Sequence, residues 1–220
     1  MTMKHFFQQI GRPWLMVFAL IALASNSAMA ADNSEAVMKR LIERVSTELD
    51  KLHKAHRIED RAALEQLIRN EIVPNIDQQR LTQRVFRQYW REIVSAGKQN
   101  DAQQRVMNSL VRTYAVALSS YSGDTLSVVS VNEDGAKSTA KTRIRRPNGQ
   151  TIQVDFSLGN ANGSWQINDM AVDGIVVSLT LFNAMKPVWE QQGMDAALNT
   201  INEVDTTKEM QSKQEPAKKK

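Results

Sequence analysis

Apolar and polar positions alternate most regularly between residues 147 and 174. Over 151–158, Ile152, Val154, Phe156 and Leu158 fall on one face and Gln153, Asp155 and Ser157 on the other, the period-two signature of a strand buried on one side. Pro147, Asn148 and Gly149 supply the turn before it, because Pro presets φ while Asn and Gly tolerate the positive values that tight turns use. After a second turn over 159–163, Trp165 and Ile167 repeat the alternation opposite Gln166 and Asn168, and the strand closes at Gly174. This pair is predicted to be an antiparallel hairpin whose apolar side requires a cover. Residues 126–131 and 138–146, joined by a turn over 132–135, bring the sheet to about four strands in hairpin order.

Upstream of the sheet the period lengthens. Over 35–52, Val37, Met38, Leu41, Ile42, Val45, Leu49 and Leu52 recur at three- and four-residue spacing between charged residues, one face of an amphipathic helix. A second helix over 61–72 carries Leu64, Leu67, Ile68 and Ile72 and is stopped by Pro74. Residues 78–94 predict a third, with Val85, Phe86, Tyr89 and Trp90 on a broad face that ends before Gly97. Asp101 caps a fourth, whose apolar face continues through Leu118 and Tyr121 to Gly123. Beyond Gly174, an apolar run over 175–181 leads into a helix over 182–192, interrupted at Pro187, and a last one over 194–204. Helices before and after an antiparallel sheet define the α+β class, here a curved sheet of about four strands covered by about six helices.

The two ends differ from the body. Lys4 and Arg12 precede an apolar run over 14–24 that is short for a bilayer span, and Ala28, Met29 and Ala30 form the small-x-small site of signal peptidase. Residues 1–30 are therefore expected to be a signal peptide cleaved after Ala30, which places the mature protein in the periplasm. Residues 206–220 are poor in apolar side chains, end in three lysines and are expected to be a disordered basic tail. The stretch 31–205 suffices for one domain with its own core.

Without the leader's Lys4 and Arg12 and the tail's five lysines and two glutamates, 21 basic residues face 22 acidic ones. The body is near neutral, so the basic ends are no sign of a nucleic-acid partner. Cysteine is absent. In an exported protein, packing alone must then hold the fold, and thiol catalysis is excluded.

Candidate chemistry is sparse. His53 and His56 are the histidines of the mature chain; their spacing could form a metal edge, but no third ligand type recurs near them, so no metal is assigned. Neither a G-x-G-x-x-G nor a Walker loop appears, and no cofactor is expected. Asp155 and Asp169 are the carboxylates that could act as a base on a cavity wall, although a polar strand face or a turn explains them equally. Arg143, Arg145 and Arg146 could meet phosphate, with solvated strand-face charge as the simpler reading.

The ordered series VPNIDQQRLTQRVFRQYW, LVRTYAVALSSYSGDTL, PNGQTIQVDFSL, GSWQINDMAVDGI and QQGMDAALNTI resembles the toluene-tolerance family of periplasmic phospholipid carriers, which belong to the pathway that maintains outer-membrane lipid asymmetry. The similarity covers roughly residues 71–201. Pro74, Tyr89, Trp90, Tyr114, Tyr121, Trp165, Asp169 and Gly174 match family positions, whereas Val176, Leu181 and Phe182 depart from the family's usual polar residues.

The resemblance implies a carrier, not an enzyme, that holds a glycerophospholipid by its acyl chains in an apolar cavity between sheet and helices. Its partners would be an outer-membrane lipoprotein associated with a porin and an inner-membrane ABC transporter with ring-forming substrate-binding domains. Apolar faces too extensive for the covering elements nominate Val85, Tyr89, Leu118, Val154, Phe156, Ile167, Val177 and Leu179 as cavity lining. The exit is expected beside 175–182. Two other readings remain open: an exported binding protein for another apolar ligand, hopanoid or sterol-like, and a cavity enzyme using Asp155 or Asp169.

Overall fold

The predicted hairpin lies at the centre of a five-stranded antiparallel meander in the computed structural model, which describes residues 33–161 and 163–203. The expected signal peptide and basic tail lie outside those residues. The strands are β1 (Thr125–Asp134), β2 (Lys137–Arg145), β3 (Thr151–Ala161), β4 (Ser164–Val172) and β5 (Ile175–Val176), and each pairs with the next. The short fifth strand is one more than expected. Its turn is Asp173–Gly174 with φ of +47° and +80°, left-handed at both central positions as a two-residue hairpin loop of the primed type requires.

Two bulges decide which side chains share a face. Between β3 and β4 the register slips, so that Ser157 pairs with Asp169 but Leu158 pairs with Ile167, leaving Asn168 as the extra residue. One inserted residue reverses side-chain parity beyond it. Trp165 and Ile167 alternate as predicted, and past Asn168 the inward positions become Met170 and Val172, opposite Phe156 and Val154. A slip between Val128 and Ser130 on β1 likewise leaves Val129 exposed.

The helices are α1 (Ser34–Lys54), α2 (Arg61–Leu67), α3 (Gln78–Phe86), α4 (Trp90–Ser95), α5 (Gln99–Leu118), α6 (Val177–Gln192) and α7 (Met194–Glu203). Carboxylate or amide caps start three of them: Asn33, Asp60 and Asp77 accept from the N–H of Ala36, Ala63 and Arg80, satisfying orphan donors of the first turn. Asp101 is not a cap. It lies inside the first turn of α5 and bonds Arg105 at 2.8 Å.

The predicted third helix is divided at Arg87, whose φ of +48° is left-handed and incompatible with a continuous α-helix. At Pro74 the second helix changes form instead of stopping cleanly. A π-helical turn (Ile68–Ile72) and a 3-10 turn (Val73–Asn75) follow α2, because proline lacks the N–H and crowds the carbonyl four residues back. The side-chain amide of Asn75 donates to the Glu71 carbonyl at 2.7 Å. Pro187, by contrast, lies within a continuous α6, so the expected interruption is absent; the helix begins ten residues earlier and is held by burial of Leu181, Phe182, Met185 and Trp189.

Candidate functional site: an apolar cavity

A cavity of about 430 Å³ lies between the sheet and the helices that cover it. That volume is in the range of pockets that enclose small organic ligands. Its sheet wall is the predicted alternating face: Ile152, Val154 and Phe156 of β3, extended by Met170 and Val172 beyond the bulge and by Leu126 and Ile144. Opposite stand Leu41, Val45 and Leu49 of α1, whose four-residue spacing keeps them on one stripe. Ile68, Ile72, Val73 and Ile76, around the π and 3-10 turns, close one side, and Met107, Leu110 and Leu118 of α5 another.

The sheet side of this lining is only half-buried, including Leu126, Phe156, Met170 and Val172, whereas the helix stripe Leu41, Val45 and Leu49 is fully buried. Leaving apolar surface within reach of water costs ~25 cal/mol per Å², so an apolar occupant would be stabilised by covering it. The Thr142 hydroxyl inside is satisfied by the fold, donating to the Val154 carbonyl at 2.7 Å.

Polar side chains gather at one end, where α5 runs into β1 and β2 into β3. Arg146 donates through Nη2 to Ser120 Oγ at 3.1 Å and through Nη1 to Gln150 Oε1 at 3.2 Å. Asp124 Oδ2 stands 3.9 Å from Arg146 Nε. Next to them the Tyr121 hydroxyl donates to Asp50, and the His53 ring meets Tyr121 edge-on with centroids 5.8 Å apart. Burial, reinforced by the Asp50 carboxylate, pushes the Tyr121 phenol well above its ordinary pKa.

Of the eight nominated lining residues, Leu118, Val154 and Phe156 border this cavity. Val85, Ile167 and Val177 do not, and are buried in the packed core. Tyr89 stacks on Trp189 at 4.7 Å and donates to Glu190 at 3.0 Å, while Leu179 is 38% exposed. These five occupy core or surface positions outside the lining of this cavity. Periodicity marks an apolar face but not whether a helix or a void lies across it. The same holds for the expected exit beside 175–182: α6 packs on α3, α7 and β4, and none of that segment lines the cavity.

The residues missed were those of α1 and the turns around Pro74. The stripe on α1 was legible, and a proline-disrupted helix rich in Ile and Val was the available signal for the other wall. Asp155 and Asp169 also lie off the lining; the first accepts from Gln153 at 3.0 Å, the second from Ser178 and Met170. Among the described residues no cluster of His, Cys, Asp or Glu could hold a metal ion, and no helix is long and apolar enough to cross a membrane.

An antiparallel meander and covering helices around an apolar cavity with a single polar end define an α+β protein built to enclose an apolar ligand. The chain belongs to the MlaC protein family, whose profile matches residues 36–203. It is also similar in fold to a phospholipid-binding protein from Ralstonia solanacearum, solved in complex with a phospholipid. The two superpose with a TM-score of 0.69 at 20% identity, over 80% of this chain and 98% of that one. The family indicated by the sequence motifs is thus the one to which the chain belongs.

Proposed function

We propose that the protein is a periplasmic carrier that takes up a glycerophospholipid by its acyl chains and moves it between membrane complexes, sustaining the lipid asymmetry of the outer membrane. One observation carries this reading: a continuous apolar lining around a 430 Å³ cavity, with charged side chains confined to one end. Membership of the MlaC family and the phospholipid bound to the Ralstonia protein of similar fold support the choice of ligand. Asp155 and Asp169 lie away from the cavity lining, which favours a carrier over a cavity enzyme.

Energetics favour delivery by contact. Two acyl chains hold some 30 methylenes, and at ~0.8 kcal/mol each their transfer from water contributes a gross ~20 kcal/mol or more. Release into solvent is then negligible, and the lipid must pass to a partner offering its own apolar groove. An outer-membrane lipoprotein associated with a porin and an inner-membrane ABC transporter with ring-forming substrate-binding domains are the partners this role requires.

Native mass spectrometry of the gently purified protein tests the reading. Mass increments of glycerophospholipids are expected. A folded protein that is consistently empty, or one carrying a hopanoid or sterol-like molecule, would overturn it.

A further inference from the structure

We infer that Arg146 anchors the phosphodiester of the bound lipid at the polar end of the cavity, an assignment that rests on the carrier reading above. Three observations lead there. Arg146 borders the cavity just beyond the end of β2; Arg143 also borders it, but along β2 the buried side chains are Ser138, Ala140 and Thr142, and Arg143 and Arg145 fall on the exposed, alternate positions.

Second, the guanidinium is held in place with donor capacity to spare. Its two outer nitrogens bond the neutral oxygens of Gln150 and Ser120. Its Nε is shielded from solvent, has no hydrogen-bond acceptor, and lies 3.9 Å from the nearest carboxylate oxygen of Asp124. Arginine offers five N–H donors in a planar fork that matches phosphate oxygens, and one already positioned loses little conformational entropy when it takes another acceptor. A buried donor left without an acceptor is also costly, so a phosphate oxygen reaching it is stabilised beyond simple attraction.

Third, Asp124 is nearly buried, with 7% of its side chain exposed, and offsets the charge of Arg146. A paired arginine attracts small free anions weakly. The phosphodiester is held there because the acyl chains in the cavity deliver it, so the ligand class is a phosphate-bearing diacyl lipid and not a phosphate ion.

The test uses the full chain, stripped of lipid under denaturant and refolded, then incubated with vesicles of phosphatidylethanolamine and phosphatidylglycerol containing diacylglycerol of the same acyl composition. Wild-type protein should retain phospholipid over diacylglycerol by roughly tenfold, the scale of one charge-assisted hydrogen bond. Arg146→Gln should erase that preference and leave diacylglycerol retention unchanged, and Arg146→Lys should restore part of it. Equal retention of the two lipids by wild type would overturn the assignment without any variant, as would an Arg146→Gln protein that folds and keeps the preference. Inorganic phosphate alone should leave the Arg146 side-chain resonances unshifted. A phosphate-dependent shift in a protein that shows no lipid preference would give the site to the free ion and reject the proposal. If wild type retains neither lipid, the carrier reading itself fails.

Discussion

Asp169 at the middle of β4 holds the first turn of α6 through Ser178: its Oδ2 accepts the Ser178 hydroxyl at 2.6 Å and its Oδ1 accepts the Ser178 N–H at 3.3 Å. The residue before α6, Val176, has no side chain able to cap it, so a carboxylate brought from the sheet does that task and meets the positive end of the helix dipole. Asp169→Ala removes these bonds and strands a buried hydroxyl, and should destabilise the protein by about 2–3 kcal/mol in urea unfolding. Ligand retention should survive, since Asp169 lies off the cavity lining.

Two valines separate cavity from core. Val154 lines the cavity, whereas Val177 is buried at 1% exposure and does not. Val154→Glu should abolish lipid retention with a cooperative melt preserved, because a carboxylate can be hydrated in the emptied cavity. Val177→Glu has no such outlet and should cost about 3–5 kcal/mol or prevent folding. Circular dichroism melts alongside native mass spectra of both variants check the contrast.

Alkaline stability should report on Tyr121. Burial and the Asp50 carboxylate raise its pKa in the folded protein above the ordinary 10.0. The stabilisation is therefore fully present below pH 10, where the phenol is protonated in both states. It is lost as pH rises further, since the unfolded chain then releases a proton that the folded chain retains, by at most about 1.4 kcal/mol per pH unit. Denaturant midpoints measured up to pH 11 should fall more steeply for wild type than for Tyr121→Phe.

Arg87 holds φ at +48°, a region that costs a residue with a side chain of order 1 kcal/mol or more, while its guanidinium lies 4.8 Å above the Phe182 ring, worth ~0.5–1 kcal/mol. Arg87→Ala loses the ring contact and keeps the strain. Arg87→Gly loses both, so it should be more stable than Arg87→Ala by about 1 kcal/mol. Paired thermal melts read this ordering directly.

The α+β class, the hairpin order of the strands, the apolar face of β3 and the amphipathic stripe on α1 were legible in the chain, since each follows from local side-chain periodicity. The family followed from the ordered motifs. Tertiary structure decided what lies across each apolar face. Val85 and Leu118 occupy similar-looking helical stripes, yet one is sealed in the core and the other opens on the cavity. It also decided parity: the Asn168 bulge turns Met170 and Val172 inward, which no alternation pattern contains, because the choice between a regular and a bulged pair is made by the strand opposite. The polar end came the same way. Ser120, Tyr121 and Asp124 lie in the turn between α5 and β1 and Arg146 in the turn between β2 and β3, and only the closure of sheet on helix brings the two turns to one mouth.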